Sequence, residues 1–210
     1  MTTYIAGNSM SMKVSPNDGQ PWSALIKGNK LWGGGHGYLY TVLGAMMQLK
    51  EITLSPTDKV IFCIGLNDCL YRKNLLNQIK RIHPIYQGST GLIRAFLWGK
   101  IKLLLNKNPD ELVQLLTFQE FTDFTNDLFS KYRGKGVVLG IHWVTRRNPK
   151  LCWGIKQLEE VNRILRIAAY ENNLKFIDFW HPPNLRGKDG VHLTAAGHKI
   201  VADKITQVIK

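Results

Sequence analysis

Cysteine is scarce in this sequence of 210 residues. The three cysteines, Cys63, Cys69 and Cys152, are an odd number and form no Cys-x-x-Cys pair. A disulfide framework or a structural zinc site needs paired cysteines, so both are disfavoured and a reducing compartment is expected. Long hydrophobic runs are missing too. The most apolar stretch, Leu92–Leu105, contains three basic residues and is shorter than the roughly 20 residues of a membrane-spanning helix.

Acidic residues are also few, since 28 Lys and Arg against 15 Asp and Glu give a formal net charge of +13. None lies between Asp68 and Asp110, a stretch with eight basic residues: Arg72, Lys73, Lys80, Arg81, Arg94, Lys100, Lys102 and Lys107. Such a block indicates an anionic partner (nucleic acid, an anionic membrane surface or an acidic substrate) or simply a solvated basic face. The first ten residues lack the basic leader and apolar core of a secretory signal, so we expect a cytoplasmic protein.

Short apolar runs alternate along the chain with helical patterns. With 44% hydrophobic residues, the chain is long enough to bury a core as a single domain, residues 1–210. The alternation predicts an α/β fold with a five-stranded parallel sheet covered by helices. The predicted strands are Tyr4–Ala6, Lys30–Trp32, Val60–Ile64, Val137–Ile141 and Phe176–Phe179.

Helical spacing of apolar residues predicts helices over Leu39–Leu49, Glu111–Tyr132, Ile155–Glu171 and Ala195–Ile209, the last capped by Thr194. The segment Leu70–Pro109 is much longer than the roughly 2–6 residues of an ordinary strand-to-helix loop. We therefore predict a helical insertion after the third strand. The alternative is an ordinary crossover helix with misplaced limits.

Reactive residues follow four of the five predicted strands. The four groups are Gly7-Asn8-Ser9, Gly33-Gly34-Gly35-His36-Gly37, Gly65-Leu66-Asn67-Asp68 and Asp189-Gly190-Val191-His192. Ligands of open parallel sheets bind at the carboxyl ends of the strands, so these groups predict one shared site.

The residue types in these groups suit acyl transfer. Ser9 is the candidate nucleophile, His192 the general base, and Asp189 the carboxylate that orients the imidazole, with Asp178 as a rival for that last role. The N–H of Ser9, a glycine N–H from the second group and the Asn67 amide are candidate oxyanion donors. A G-x-S-x-G elbow is absent, because Ser11 stands at its last position.

These groups resemble the SGNH, or GDSL, hydrolase family, named for the residues that Ser9, a loop glycine, Asn67 and His192 would supply. The closing run LKFIDFWHPPNLRGKDGVHLTAAGHKIVADKI is similar to the family's end. The resemblance implies a three-layer, flavodoxin-like α/β/α fold and esterase, lipase or sugar-deacetylase chemistry without metal or cofactor. Asn8 stands where the family usually has Asp, and Gly35 or Gly37 is favoured as the oxyanion glycine.

The leading hypothesis is a serine esterase that removes a short acyl group, acetyl by resemblance, from a carbohydrate or small molecule. The alternatives are a glycan O-acyltransferase with the same nucleophile and a non-catalytic protein that binds a polyanion; no nucleic-acid partner is expected. We expect segment 70–109 to cover the site, unless its aromatic residues only pack it onto the domain. The candidate substrate contacts are Tyr86, Arg94, Phe96, Trp98, Lys100 and Lys102, with His142 at the end of the fourth strand.

Overall fold

A computed structural model describes residues 1–7, 19–26, 29–32, 41–49, 52–69, 82–83, 85–107, 114–141, 155–179, 187 and 192–209. Five parallel strands form one sheet in the order β2-β1-β3-β4-β5. They are β1 (Thr2–Gly7), β2 (Asn29–Trp32), β3 (Lys59–Cys63), β4 (Gly136–Leu139) and β5 (Lys175–Ile177). The predicted five-stranded parallel sheet is confirmed.

The central strand β3 owes its place to its continuous apolar sequence. Val60, Ile61 and Phe62 are fully buried between β1 and β4, and all of β4 is buried as well. Strands covered on both faces have this unbroken apolar composition, whereas strands with one wet face alternate. Hydrophobic burial of the central strands therefore stabilises the sheet from which the site loops extend.

Three strands end earlier than the sequence predicts. β3 ends at Cys63, one residue before its predicted limit. β4 ends at Leu139 and β5 at Ile177, each two residues before its predicted limit. Beyond β4, the backbone N–H and carbonyl of Ile141 bond to the side chain of Asn162 and not to a neighbouring strand. Apolar composition continues past the ladder, so it could not mark where the pairing ends.

Six helices have defined bounds among the described residues, and residues 82–83 and 85–88 are helical as well. The six helices are α1 (Trp22–Leu25), α2 (Val42–Leu49), α3 (Gly91–Leu105), α4 (Phe118–Ser130), α5 (Ile155–Glu171) and α6 (Ala195–Ile209). The predicted limits of α5 and α6 are confirmed. Thr194 caps α6, because its Oγ1 accepts a hydrogen bond from the N–H of Gly197 over 3.2 Å.

The predicted helix over Glu111–Tyr132 is wrong at both ends. Within the described residues α4 begins at Phe118 and ends at Ser130. A capping box starts it: Thr117 Oγ1 accepts from the N–H of Glu120, and Glu120 Oε2 accepts from the N–H of Thr117. These bonds satisfy the first-turn donors locally, so the apolar residues Leu115 and Leu116 belong to the preceding loop although they are buried.

The helices cover both faces of the sheet. α2 packs against α4 and α4 against α5, while α1 packs against α6. The strand order explains this grouping. The β1-to-β2 connection runs in the direction opposite to the later crossovers, so right-handed connections place α1 on the other face from α2, α4 and α5. The predicted three-layer arrangement follows from that reversal.

α3 lies inside the segment 70–109 that was predicted to be a helical insertion. Its inner side buries Leu97, Ile101 and Leu104 in the core. Phe96 packs edge-on against Phe124 of α4, with ring centroids 5.1 Å apart. Neither α3 nor any other helix in the described part of the chain is long and apolar enough to cross a bilayer.

Candidate active site

The strand order reverses at the junction of β1 and β3. β2 lies on one side of β1 and β3 on the other, and Gly7 at the end of β1 is in register with Cys63 at the end of β3. Loops leaving two adjacent parallel strands in opposite directions open a crevice between them, where ligands of such sheets bind. Ser9 is two residues after Gly7 in the sequence, and Asn67 is four residues after Cys63.

A tight turn after β3 carries Asn67. The N–H of Asp68 donates to the carbonyl of Gly65 over 3.3 Å, and Gly65 has a φ of 100°. An added Cβ at Gly65 would lie 2.8 Å from Cγ1 of Val161. Both the positive φ and the contact with α5 require glycine, so the first residue of the Gly65-Leu66-Asn67-Asp68 group is explained by packing. The half-buried Asn67 is thereby presented at the crevice.

The carboxylate of Asp68 joins this turn to the start of α2. It is fully buried; Oδ2 accepts from the N–H of Gly65 over 2.9 Å and Oδ1 from the N–H of Val42 over 2.7 Å. Val42 opens α2, the helix that follows the glycine-rich group 33–37. Burial raises the pKa of Asp68 to about 7, although the two backbone hydrogen bonds oppose that rise.

A second buried side chain holds the backbone after β4. Asn162 of α5 accepts from the N–H of Ile141 over 2.6 Å and donates to its carbonyl over 2.8 Å. The amide thus takes the place of a neighbouring strand at the carboxyl edge of the sheet. Gly140 leaves room for it, because a Cβ there would lie 3.1 Å from Asn162 Oδ1. Asn162 was not singled out from the sequence; a polar residue between the buried Val161 and Leu165 was the available signal.

His192 stands just before the cap of α6. Its carbonyl accepts a hydrogen bond from the N–H of Gly187 over 2.8 Å, and its side chain is half-buried. The first turn of α6 is then tied to α1, because Nδ1 of the fully buried His198 accepts from the N–H of Trp22 over 3.0 Å. His198 therefore packs in α6 and satisfies the first turn of α1.

The structure places only part of the predicted site. Of the catalytic and oxyanion candidates, Asn67 and His192 are described; Ser9, Gly35, Gly37 and Asp189 lie outside the described residues, as does His142. Asp178, the rival for orienting His192, forms an ion pair with Arg166 at 2.6 Å. That contact supports a role for Asp178 in structuring the chain after β5.

The aromatic candidates of segment 70–109 form a stack. The rings of Tyr86 and Trp98 are 5.6 Å apart, with Arg94 over Tyr86 at 5.0 Å and Lys102 over Trp98 at 5.3 Å. Cations cover the outer faces of both rings, so a sugar can stack on either only after a cation moves. Phe96 faces α4 instead.

Lys100 also belongs to the packing of α3 on α4, because it pairs with Glu120 at 2.8 Å. Burial of Glu120 opposes its ionisation, but the hydrogen bonds from Lys100 and Thr117 outweigh that effect and lower its pKa.

The residues that flank this segment meet beside the turn that carries Asn67. The N–H of Leu116 donates to the carbonyl of Asp68 over 3.0 Å, and Gln114 Nε2 donates to the carbonyl of Cys69 over 2.9 Å. The chain before the segment is therefore bonded to the chain that follows it, next to the turn after β3. Among the described residues, no group of three or more His, Cys, Asp or Glu side chains is arranged to hold a metal ion.

The sequence matches the model of the GDSL-like lipase/acylhydrolase family over residues 29–200. The chain belongs to this family. As a GDSL-like acylhydrolase, it is a carboxylic ester hydrolase, which confirms the enzyme class predicted from the sequence. No protein of curated function matches the sequence significantly.

Solved structures share the fold of this GDSL-like acylhydrolase at low sequence identity. A lipase/acylhydrolase from Enterococcus faecalis is 13% identical, with 99% of this chain and 94% of that chain covered and a TM-score of 0.60. An acetylxylan esterase from Geobacillus stearothermophilus is 14% identical, with 99% and 93% covered and a TM-score of 0.53. The acetyl xylan esterase AlAXEase is 16% identical over the whole of both chains, with a TM-score of 0.57.

Proposed function

We propose that this acylhydrolase is a serine esterase that removes a short acyl group, acetyl in the first instance, from a carbohydrate or small molecule. The observation that carries the proposal is the turn after β3, which contains Asn67 and follows a strand whose last residue, Cys63, is in register with Gly7 at the end of β1. Ser9 follows that end in the sequence. An amide donor next to a serine suits stabilisation of the oxyanion formed during attack on an ester, and one such donor is worth about 10²–10³ in rate.

In the proposed reaction, His192 takes the proton of Ser9 as its hydroxyl attacks the ester carbonyl, and returns it to the leaving alcohol. Water then cleaves the acyl-enzyme by the same route. Asp189 holds the imidazole in the required tautomer. The N–H groups of Ser9 and of Gly35 or Gly37, together with the Asn67 amide, bind the oxyanion.

The acetyl and carbohydrate part of the proposal has separate support. Two of the structures that share the fold are acetylxylan esterases. We propose further that segment 70–109 covers the site, because the chain on either side of it, at residues 68–69 and 114–116, is bonded together beside Asn67. Arg94 is then the candidate contact for an anionic substrate, while Tyr86 and Trp98 support it by stacking.

Covalent labelling tests the nucleophile. We expect a fluorophosphonate to add once to the intact protein, as measured by mass spectrometry, and to leave Ser9→Ala unlabelled. Ser11→Ala is the matched control and should label like the unchanged protein. Labelling of Ser9→Ala would show that another residue is the nucleophile, whereas no labelling of the unchanged protein would favour the non-catalytic polyanion binder.

Kinetics test the shared mechanism and the substrate. Ser9→Ala and His192→Ala should each abolish nearly all hydrolysis of nitrophenyl acetate, and the double variant should be little worse than either, because the residues act as a unit. Losses that simply multiply would contradict this. Activity should fall from acetyl to octanoyl esters, and acetylated xylooligosaccharides should be deacetylated. Transfer to added sugar acceptors would identify the acyltransferase instead.

A further inference from the structure

The outward side of α3 is apolar as well as basic. Leu92, Leu103 and Leu105 are 89%, 55% and 62% exposed, and Trp98 is 45% exposed. Single exposed leucines are ordinary, but several large apolar side chains on one helix mark an interaction surface. We call these four residues, with the basic Arg94 and Lys102, the α3 outer face.

The charge of this face limits what can cover it. Segment 69–109 contains no acidic residue, and α3 itself carries Arg94, Lys100 and Lys102. Lys100 is engaged with Glu120 of α4, whereas Arg94 lies over the ring of Tyr86 and Lys102 over the ring of Trp98. A second copy of this chain would bring an equally basic face and a net charge of +13, so repulsion disfavours self-association. The charge is complementary to an anionic partner.

The apolar side chains decide between anionic partners. A nucleic acid or another polyanion offers phosphates or sulfates but no apolar phase for exposed leucines. An anionic lipid surface offers both, because its acyl boundary lies a few ångströms below the headgroups. Trp prefers this interface, and Lys and Arg reach phosphates while their stems lie along apolar surface.

We propose that the α3 outer face docks this protein onto an anionic membrane surface. Leu92, Leu103, Leu105 and Trp98 enter the interface, and Arg94 and Lys102 pair with lipid phosphates. The 15-residue helix, about 22 Å long at 1.5 Å per residue, lies along the surface. The proposal does not depend on the acyl chemistry.

Vesicle co-sedimentation tests the docking. The full-length protein should bind vesicles of mixed phosphatidylcholine and phosphatidylglycerol about tenfold or more tightly than phosphatidylcholine alone, and less tightly as salt increases. The triple variant Leu92→Gln/Leu103→Gln/Leu105→Gln and the double variant Arg94→Gln/Lys102→Gln should each weaken binding to the mixed vesicles by roughly tenfold. Circular dichroism and thermal unfolding verify the fold.

Matched controls lie outside α3, on α5 and β5. Ile167 and Tyr170 of α5 are exposed apolar residues, at 43% and 86%, and Lys156 and Lys175 are exposed cations. Gln at Ile167 and Tyr170, or at Lys156 and Lys175, should leave vesicle binding within about twofold. If the triple variant loses structure, Leu92→Gln alone provides the test, since Leu92 is almost fully exposed.

Three results would overturn the proposal. They are no binding to the mixed vesicles, equal losses in the α5 controls, or a loss in the charge variant with none in the leucine variants. The last result would assign the face to a soluble polyanion.

Discussion

The carboxylate of Asp68 accepts a hydrogen bond from the N–H of Val42 over 2.7 Å, across 26 residues of sequence. The same carboxylate accepts from the N–H of Gly65 over 2.9 Å. One buried side chain therefore holds both the turn that carries Asn67 and the helix that follows the glycine-rich group. Asp68 thus fixes the turn that carries Asn67 relative to the start of α2, and it touches no substrate in the proposed mechanism.

Asp68→Asn should lower kcat for ester hydrolysis by roughly 10- to 100-fold with little change in KM, because small displacements of catalytic groups are that costly. The amide keeps the size of the side chain but presents one donor to a backbone N–H. Asp58→Asn is the matched control. Asp58 also accepts two backbone N–H bonds, from Thr2 and Ser55, but it lies at the amino-terminal ends of the strands. The Asp58→Asn substitution should affect stability and leave kcat unchanged. Equal kcat losses would contradict the positioning role.

The pH dependence of stability should carry the signature of Asp68. Burial raises its pKa to about 7 from an ordinary value of 3.8. Between these values the folded protein holds a proton that the unfolded chain has released, so this contribution to stability is complete below about 3.8 and is lost as pH rises through about 7.

Urea unfolding from pH 4 to 8 checks this signature. The free energy of unfolding should fall with increasing pH more steeply in the unchanged protein than in Asp68→Asn, which has nothing to titrate there. Parallel curves would contradict it. The contribution of Asp58 to the free energy of unfolding has the opposite pH dependence. Hydrogen bonds from Thr2 and Ser55 lower its pKa, so this contribution is lost toward acid pH.

Gly65→Ala should destabilise the fold by about 1–3 kcal/mol, because alanine disfavours positive φ and its Cβ meets Val161. Chemical denaturation measures the change, and esterase activity should fall with it as Asn67 shifts. Gly99→Ala is the control. Gly99 is helical with open space around it, so alanine there should stabilise by about 0.5–1 kcal/mol. Similar effects at both positions would refute the packing argument.

Asn162→Leu should cost about 2–5 kcal/mol, since both backbone groups of Ile141 lose their buried partner. Asn162→Asp tests which half of the pair matters more. Its carboxylate still accepts from the N–H of Ile141 but cannot donate to the carbonyl. At neutral pH, the denaturation midpoint of Asn162→Asp should therefore lie between those of the unchanged protein and Asn162→Leu. An Asn162→Leu variant as stable as the unchanged protein would show that water replaces the amide.

The local pattern of the sequence was sufficient for much of the frame. Continuous apolar runs located all five strands, and the helical repeat with Thr194 as cap located α5 and α6. These features depend on neighbours within a few residues, where burial periodicity and capping act. The turn at the Gly65-Leu66-Asn67-Asp68 group was also predictable from the sequence, because its glycine adopts a positive φ that the local turn requires.

Only the tertiary structure decided what the buried polar side chains do. Asp68 accepts a hydrogen bond from the N–H of Val42 at the start of α2, and Asn162 accepts one from the N–H of Ile141. His198 accepts from the N–H of Trp22 across 176 residues of sequence. Each partner is a backbone group left unsatisfied where an element begins or ends, and no residue pattern records which distant side chain will arrive there. The hydrophobic pattern determined which elements form. Packing chose the polar pairs, because an unpaired buried group is costly and only the assembled fold brings donor and acceptor together.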